Sequence, residues 1–501
     1  MVTVMAGASR TNTHYRASTS SMMQRRAPRP RINRRGRVSR ASVSAAGIAD
    51  GKRRRTAGTL SNLCVDVFHN AEAGYLASLR SIQAGDESGK SRIEQQIAAI
   101  KARKEASDAT LELGGNCNFA LASARLGLDT KAIGVLGTDE LGEFVVDALR
   151  RENVEFVDML GSPVGASQRE HFGTLECNVV VEPNGSHGFF SLYDSGAPFG
   201  DTIGDGGLGN FRNGRLCSIA DSAMDVVRGV HILFCNGFCF DEMNGELVVS
   251  IARAAKRATS DAIVLFDAGP RLSKLRRSSA EAFAELLELS DVILATEDEA
   301  QTMTGIPFTP TEDQNAAPEA LLASHIRSAE INAMHILDMA DGRAGYGGND
   351  RYERKLVVVK LGKYGSLFAE RMPAGSTAGS VTADGSGLGK ATDSCVSFEF
   401  FAGFPVDVGD TVGCGDSFAA AVGLGMAYGA DLRTTSALAN AVGAATASNC
   451  GAGRNVATKS CVKRILSNGL ESAEAQQGRR DAILRALDLL DQVGSGARGD
   501  G

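Results

Sequence analysis

The sequence predicts an α/β protein in which a mostly parallel sheet is covered by helices. After about residue 60, short apolar runs of strand type alternate with segments of helical periodicity. This alternation is typical of parallel strands joined by crossover helices. Each apolar run is also followed directly by polar or glycine residues, and open α/β sheets bind their ligands at the carboxyl ends of their strands. We therefore expect a ligand site along that edge of the sheet.

The alternation can be followed element by element. A first buried strand is expected at 60–68, with Asp66 near the end of the apolar run. The later predicted strands are 131–135, 230–235, 262–266, 291–295 and 355–361. The predicted helices are 91–104, 143–152, 246–258, 280–289, 432–448 and 481–492. The segments 174–181 and 188–193 flank a turn sequence and predict a small antiparallel hairpin. The Gly-rich or polar segments predict loops at 195–215, 340–350 and 374–394.

Charge is distributed unevenly along the 501 residues. Residues 1–55 contain thirteen Arg, one Lys and one Asp, a net charge of +13, which leaves −19 on the remainder. An acidic body argues against nucleic acid as the main partner. No apolar run approaches the ~18 residues of a membrane span, so no membrane partner is expected.

The basic leader is rich in Arg, Ser and Ala and lacks the apolar core of a secretory signal. These features fit an organellar transit peptide, with cleavage expected between about residues 41 and 57. Its Ser- and Ala-rich run favours the chloroplast (plastid) over the mitochondrion. The alternative is a basic tail that binds nucleic acid or a membrane.

Ten cysteines and seven histidines are scattered along the chain. Several cysteines lie in apolar strand-like runs, there is no C-x-x-C pair, and the histidines show no ligand spacing. Buried free thiols are the expected state, and neither a zinc site nor a disulfide framework is indicated.

The stretch 408–427 carries the strongest chemical signal in the chain. Three glycines between residues 409 and 415 let the backbone turn sharply and approach a ligand, and a small-residue helix follows. Such a turn leaves the N–H groups of residues 413–416 free with the helix dipole behind them, which makes an anion site. Asp416 beside these donors suits a general base on a hydroxyl that attacks a bound phosphoryl group. The alternative is an ordinary helix cap.

A weaker form of this pattern occurs at 113–127. Gly114 and Gly115 lead into a small-residue helix, and Asn116 and Asn118 provide polar side chains. A second glycine element therefore enters a helix far upstream of the first.

One Gly-rich segment, 385–391, comes near a P-loop pattern but fails it. Asp384 stands where the first glycine belongs, and Ala391 replaces the metal-binding Ser or Thr. The sequence therefore does not predict a P-loop protein.

With these residues assembled, the chain resembles the PfkB (ribokinase-like) family of sugar and nucleoside kinases over about residues 60–465. Asp410-Thr-Val-Gly-Cys-Gly-Asp416 is similar to the family's D-T-x-G-A-G-D signature, and Gly114-Gly-Asn-Cys-Asn118 matches its glycine–asparagine element. The resemblance implies a three-layer α/β/α ribokinase-like fold with a mostly parallel central sheet and a small β-sheet lid. It also favours the general-base interpretation of Asp416 over the helix cap.

The resemblance implies a role for each matching residue. Asp416 would be the general base on the acceptor hydroxyl. The anion hole for the transferred phosphoryl group would consist of Gly413, Cys414 and Gly415. The acceptor's other hydroxyls would be held by Asp66, Gly114, Gly115 and Asn118. ATP would be bound by Lys360, Gly362, Gly365 and Asn440, the last of these near adenine.

The resemblance also implies metal sites. Glu299 matches the acid of the family's N-x-x-E motif, which acts on Mg²⁺ through water. Asp410 lies where some members bind a monovalent cation such as K⁺.

Three departures from the family pattern bear on these roles. Thr296 replaces the Asn of N-x-x-E, which would weaken a water-mediated metal contact but leaves the acid in place. The spacing from Gly-Gly to Asn118 is one residue shorter than usual. Cys414 replaces an Ala, and the favoured interpretation is a passive substitute for that Ala. The alternative is that a thiol at a helix start has a lowered pKa and is sensitive to oxidation.

The implied function is an ATP- and Mg²⁺-dependent kinase that acts on a primary hydroxyl of a sugar or nucleoside. The alternative is a catalytically silent PfkB-like structural subunit of an organellar complex, and the presence of Asp416 with its glycines favours the enzyme. A small-molecule acceptor is the expected partner of a monomer or homodimer. The expected domains are a leader at 1–57, a kinase domain at 58–467 and a C-terminal helix and tail at 468–501. The lid would come from parts of 67–110 and 172–193.

Overall fold

The computed structural model describes most of the chain after the basic leader. The described residues are 54–82, 91–103, 109–161, 173–183, 187–192, 210–212, 214–259, 261–308, 317–341, 355–371, 396–449, 452–472 and 477–495. Residues 1–53, nearly all of the predicted loops 340–350 and 374–394, and the P-loop-like segment lie outside these ranges.

A nine-stranded sheet forms the centre of the protein. In spatial order its strands are β15 (Val396–Ala402), β14 (Gly365–Arg371), β13 (Leu356–Lys360), β12 (Val292–Thr296), β11 (Ile263–Asp267), β10 (Ile232–Asn236), β1 (Thr56–Leu60), β4 (Asp129–Gly134) and β5 (Val154–Asp158). The pairs from β13 to β5 are all parallel, and β14 and β15 extend one edge with antiparallel pairs. The predicted mostly parallel sheet is confirmed.

Both faces of this sheet are buried, which explains why its strands read as nearly continuous apolar runs. Along β10, Ile232 and Phe234 point into one core, and Leu233 and Cys235 point into the other. Successive side chains of a strand alternate between faces, so a run without polar residues is what two covered faces require.

Helices cover the two faces. Those on the first face are α3 (Cys117–Leu126), α4 (Glu140–Arg151), α12 (Cys414–Ala427), α13 (Leu432–Ala447), α14 (Lys459–Ser472) and α15 (Gln477–Ser495). Those on the second face are α5 (Asp221–Gly229), α6 (Cys239–Glu242), α7 (Gly245–Ala258), α8 (Leu272–Ser278), α9 (Ala280–Leu289), α10 (Glu297–Thr304) and α11 (Pro318–Ala340). The result is the three-layer α/β/α architecture that the resemblance implies.

Small residues allow α12 to pack closely on its neighbours. A Cβ on Gly423 would lie 3.3 Å from the side chain of Ile232 in the sheet. A Cβ on Gly425 would lie 2.5 Å from Oγ1 of Thr435 on α13, so the helices could not approach as closely with a larger residue there. The run of Ala and Gly in α12 therefore fixes its start close to the carboxyl ends of the strands.

A separate four-stranded sheet carries Asp66, Gly114 and Gly115. Its spatial order is β3 (Thr110–Gly115), β2 (Leu63–Asn70), β6 (Glu176–Val181) and β7 (His187–Ser191). The predicted hairpin is confirmed as the antiparallel pair β6–β7, and β2 joins it to β3. This sheet matches the small lid sheet that the resemblance implies.

Two helices, α1 (Tyr75–Ser81) and α2 (Arg92–Lys101), pack on one face of the lid sheet. They bury Leu79 and Ile100 against Val180 and Phe190 of the sheet in a small core of their own. A capping box at Ser91 starts α2, as the helical pattern of 91–104 predicts. The segment 75–101 therefore packs with the small sheet, where the resemblance expects the lid.

The first predicted strand, 60–68, is wrong because the segment forms two strands. β1 ends at Leu60, Ser61 and Asn62 have positive φ values of 62° and 53°, and β2 then begins in the other sheet. Asp66 consequently lies inside β2 rather than at the end of a central strand. A sharp turn made without glycine gave no sequence signal. The predicted leader end at residue 57 lies inside β1.

Several elements were not predicted from the sequence. They include the 23-residue helix α11, the 14-residue helix α14 and the edge strands β14 and β15. The described end of the predicted loop 195–215 forms an antiparallel pair, β8 (Phe211–Arg212) with β9 (Arg215–Leu216). The predicted C-terminal helix is present as α15, and it packs Ala482, Ile483 and Leu490 into the first core. None of the described helices is long and apolar enough to cross a membrane.

Candidate active site

The glycine turn before α12 forms the centre of the site. Gly413 caps the helix with a φ of 77°, a left-handed conformation that favours glycine. Its carbonyl accepts hydrogen bonds from the N–H and Oγ of Ser417, at 3.0 and 2.8 Å. No acceptor within the described residues takes the N–H of Gly415 or Asp416. Two donors at a helix start therefore remain available to an anion.

Asp416 lies half-buried in the first turn of α12. The amide Nδ2 of Asn118 donates to its Oδ2 at 3.2 Å. Burial raises the pKa of Asp416 to about 7, and the charge of Asp267 adds to this, whereas Lys360 and Asn118 oppose it. A carboxylate with a pKa near neutrality suits proton transfer at physiological pH.

A lysine from β13 lies beside this turn. Lys360 Nζ is 2.6 Å from Oδ2 of Asp267, which ends β11. Burial alone would lower the pKa of Lys360, but the nearby carboxylates outweigh burial and raise it. A Cβ on Gly415 would lie 3.5 Å from Nζ, so the ammonium group faces the start of α12 directly.

Glu299 joins the same cluster from the first turn of α10. Thr296 is the N-cap of this helix, and the two residues form a capping box, with the N–H of Thr296 donating to Oε2 of Glu299 at 2.7 Å. Burial raises the pKa of Glu299, and the charge of Asp267 adds to this while Lys360 opposes it. Thr296, which departs from the family's Asn, therefore fixes the acid.

The residues that the resemblance assigns to the acceptor meet where the lid sheet reaches α3. Asp66 on β2 is buried, and a Cβ on Gly114 would lie only 2.2 Å from its Oδ1. Glycine at 114 is therefore what lets the Asp66 carboxylate lie over β3. Burial raises the pKa of Asp66 to about 7, and the charge of Asp416 contributes, which places the two carboxylates near each other.

Asn118 connects this region to the general-base candidate. Its Oδ1 accepts from the N–H of Gly453 at 2.7 Å, and its Nδ2 therefore points to Asp416. Arg454, the next residue, binds Glu112 of β3 through both its backbone N–H and its side chain. The turn at 453–454 thus sets the orientation of Asn118 and ties the lid sheet to the body.

The residues that the resemblance assigns to ATP lie at or near the turn between β13 and β14. A short 3-10 turn, Gly362–Tyr364, connects these strands, and Gly362 and Gly365 have φ values of 56° and 115°. Asn440 on α13 is buried and donates to Oγ of Ser366 at 2.7 Å and to the carbonyl of Ser436 at 2.8 Å. Both amide hydrogens of Asn440 are therefore engaged within the protein.

The alternative interpretation of Cys414, a thiol with a lowered pKa, is wrong. Burial raises the pKa of this thiol to about 12, and the charges of Asp410 and Asp416 add to the effect. These carboxylates lie on either side of the cysteine and oppose the helix dipole. Asp410 also accepts the N–H of Val412 at 3.0 Å, which holds its side chain within the turn.

The structure brings together most of the predicted residues. Those gathered around the start of α12 are Asp66, Gly114, Asn118, Lys360, Glu299, Gly413, Cys414, Gly415 and Asp416. Gly115 faces a different neighbour, the backbone carbonyl of Asn62. Sequence reasoning missed Asp267, Glu112 and the turn at 453–454. Asp267 had a usable signal, because it is a charged residue directly after a buried strand.

No cluster of three or more metal-ligating side chains occurs among the described residues. Even so, the carboxylates of Glu299 and Asp267 both act on Lys360, and the charge of Asp267 adds to burial in raising the pKa of Glu299. Carboxylate oxygens next to a phosphate site suit Mg²⁺, which keeps several waters and shares its ligands with phosphates. The donor set therefore fits the Mg²⁺ that the resemblance implies.

Comparison with known proteins supports the resemblance. Residues 92–161 and 338–459 match the model of the pfkB family carbohydrate kinases. A "putative sugar kinase" of Pyrococcus horikoshii is 26% identical over 189 residues, which cover 37% of this chain and 52% of the relative. The chain thus spans about half the length of this curated relative.

Solved structures share the fold. An adenosine kinase from Schistosoma mansoni in complex with 2-fluoroadenosine has a TM-score of 0.51 and 14% identity, covering 79% of this chain and 96% of that one. An E. coli "putative Ribokinase II" in complex with ATP and Mg²⁺ has a TM-score of 0.50 and 15% identity, covering 83% and 100%. The fold is ribokinase-like, and the family match supports the PfkB resemblance of this chain.

Proposed function

We propose that this protein is a PfkB-type kinase that transfers the γ-phosphoryl group of ATP to a primary hydroxyl of a sugar or nucleoside. The observation that carries the proposal is the pairing of Asp416, whose pKa is raised to about 7, with the available N–H of Gly415 in the same helix turn. A base and an anion site at one helix start are what phosphoryl transfer to a hydroxyl requires.

Asp416 acts as the general base. Its carboxylate takes the proton from the acceptor hydroxyl as that oxygen attacks the phosphoryl group. The N–H groups at the start of α12 stabilise the charge that develops on the transferred group, a contribution of about 3 kcal/mol per donor in comparable oxyanion sites. Asn118 keeps the carboxylate aimed and favours its ionised form.

The acceptor binds between the lid sheet and the start of α12. Asp66, which lies near Asp416, accepts hydrogen bonds from a second hydroxyl of the acceptor. Both sugars and nucleosides offer neighbouring hydroxyls for such a contact. The named ligand of the Schistosoma mansoni structure is a nucleoside analogue, which supports a nucleoside as one candidate class.

ATP lies along the β13–β14 turn, with Lys360, Gly362 and Gly365 beside it and Asn440 toward adenine. Bound Mg²⁺ would supply charge neutralisation at the phosphates, and Glu299, with Asp267 close by, would hold it through water. The E. coli structure with ATP and Mg²⁺ has the same fold, which supports this assignment. Asp410 is the candidate residue for a monovalent cation such as K⁺.

We further propose that the protein acts in the plastid. This location depends only on the basic, acid-poor leader of residues 1–55. Fusing residues 1–60 to a fluorescent protein tests it, and import into mitochondria would contradict it.

The function is tested by ADP production from ATP and Mg²⁺ with a panel of pentoses, hexoses and ribonucleosides. Wild type and Asp416→Asn are measured side by side at pH 8. At least one acceptor should raise ADP production by wild type well above that of the variant. If no acceptor does so, the enzyme is excluded and the silent structural subunit becomes the better hypothesis.

A further inference from the structure

We propose that Lys360 and Asp267 form a charge switch, in which the ammonium group leaves Asp267 and contacts the transferred phosphoryl group when ATP is bound. Lys360 would then be a catalytic residue and Asp267 its positioning residue. This inference rests on the proposed kinase function and deepens it.

The position of the ammonium group favours such a contact. Lys360 Nζ faces Gly415, and a Cβ there would be 3.5 Å away, so no side chain separates the ammonium from the available N–H groups. An anion bound at those N–H groups would therefore come within reach of Nζ.

The surroundings of Lys360 hold more negative than positive charge. Its ammonium interacts with the carboxylates of Asp267, Glu299 and Asp416. The side chains of Lys360 and Asp267 are only 14% and 9% exposed. A buried ion pair contributes little net stability, because desolvation offsets the attraction, so stability alone gives no reason for this pair.

The two partners differ in how firmly they are held. Asp267 Oδ1 accepts a hydrogen bond from the N–H of Gly269 at 3.3 Å, which keeps the carboxylate in place without the lysine. The backbone of Lys360 is fixed by pairing with Thr296 and Ser366 on the two neighbouring strands. Its four-carbon stem is flexible, so the ammonium group can move while the strand does not.

The switch has a consequence that a structural ion pair lacks. Lys360 would contact the γ-phosphate and not the part of the nucleotide that ADP shares. Removing its charge should therefore weaken binding of MgATP much more than binding of MgADP.

The test is isothermal titration calorimetry with MgATP and MgADP, without acceptor, on wild type, Lys360→Met, Lys360→Gln and Lys355→Met. Lys355 is the matched control, since it precedes the same strand at its other end and donates to the carbonyl of Ser290 at 3.3 Å. We expect both Lys360 variants to bind MgATP at least about 10-fold more weakly and MgADP within about 3-fold of wild type. Lys355→Met should bind both nucleotides as wild type does.

Asp267→Asn completes the test, and it is titrated with metal-free ATP because Asp267 also lies beside the proposed Mg²⁺ site. With the competing carboxylate removed, metal-free ATP should bind as tightly as to wild type or more tightly. Equal weakening of MgATP and MgADP by the Lys360 variants, or no weakening, would overturn the switch while leaving the kinase intact. If the Met variant does not fold, the Gln variant decides. Wild type that binds neither nucleotide would contradict the proposed function itself, and the switch with it.

Discussion

Two turns of similar sequence lead from glycines into small-residue helices, but one has a structural role and the other forms the candidate active site. The turn before α3 contains Gly114 and Gly115, and the turn before α12 contains Gly413 and Gly415. In the first, the polar residue at the helix start is Asn116, which is fully buried. It bonds to the carbonyls of Leu60 and Ser61 and to Asn236. That turn joins the two sheets.

In the second turn the polar residue is a carboxylate, Asp416, with Lys360 and Asp267 close by and two N–H groups left available. The difference comes from strand ends far away in the sequence and not from the turns themselves. A glycine turn thus becomes an anion site only where distant charged residues converge on it. Asn118 links the two turns, because it belongs to the first and donates to Asp416 in the second.

The largest effect is expected for Asp416→Asn. Removing the general base should lower kcat by about 10²–10⁴-fold with little change in the KM for ATP. Steady-state ADP production at pH 8 measures this. Asp431→Asn, which alters the helix cap at the start of α13 and an ion pair with Arg485, serves as control and should keep its kcat. A fall of less than tenfold for Asp416→Asn would assign the chemistry to another group.

The glycines of the two turns should respond oppositely to alanine. At Gly115 a Cβ would lie 2.2 Å from the carbonyl oxygen of Asn62, so Gly115→Ala should cost about 2–4 kcal/mol of unfolding free energy. At Gly413 the nearest atoms belong to the Asn118 side chain at 3.2 Å, so Gly413→Ala should cost about 1–2 kcal/mol. It should nevertheless lower kcat by about 10–100-fold because Asn118 and Asp416 move. Denaturant unfolding and kinetics on both variants check this, and equal losses of stability would remove the distinction.

Substituting Asn118 and substituting Asn116 should affect the pH dependence of kcat differently. The hydrogen bond from Asn118 lowers the pKa of Asp416, so Asn118→Ala should move the ascending limb of kcat, near pH 7, to higher pH. The other carboxylates on the proposed acceptor side, Asp66 and Glu112, are still present in Asn118→Ala. Asn116→Ala should lower Tm without moving the limb. A limb that stays fixed in Asn118→Ala would show that Asp416 is not the group that titrates.

A smaller effect is expected on stability. The pKa of Asp416 is raised in the folded protein, so the folded state binds more protons than the unfolded one between about pH 4 and 7. Stability due to this group is present at low pH and is lost as pH rises through about 7. Asp416→Asn should therefore be more stable than wild type at pH 8, on the order of 1–3 kcal/mol, and the gap should close toward pH 4. Thermal unfolding at pH 8 and pH 4 measures the difference in stability between the variant and wild type. The control is Asp225→Asn, at an exposed position, which should be as stable as wild type at both pH values.

The smallest effect is expected for Cys414→Ala. With its pKa raised to about 12, the thiol is almost fully protonated at neutral pH and reacts slowly with peroxide. Peroxide should inactivate wild type and the variant at the same rate. Faster inactivation of wild type would restore the redox hypothesis that the structure argues against.

The sequence predicted an element correctly where the packing of that element in the fold demands a recognisable local residue pattern. The parallel core strands and the helix after 408–415 could be predicted because two buried faces demand continuous apolar runs and a glycine turn must precede a tightly packed helix. The turn at Ser61–Asn62 could not be predicted, because ordinary residues adopt positive φ there under tertiary constraint. The Lys360–Asp267 pair was hidden for another reason: its partners lie 93 positions apart, and only the order of strands brings them together. The thiol pKa was mispredicted because the helix dipole was weighed without the burial of the thiol and without the two neighbouring carboxylates.

The place of β1 in the central sheet has a consequence for how the chain folds. This strand comes early in the sequence, yet it pairs with β4 on one side and with β10 on the other, where Ala57 aligns with Ile232. During synthesis one edge of β1 therefore stays without its partner until well over a hundred further residues have emerged. Contacts that span such distances slow folding and prolong the exposure of an apolar strand edge. The demand for help from chaperones should accordingly be greatest before β10 has been made.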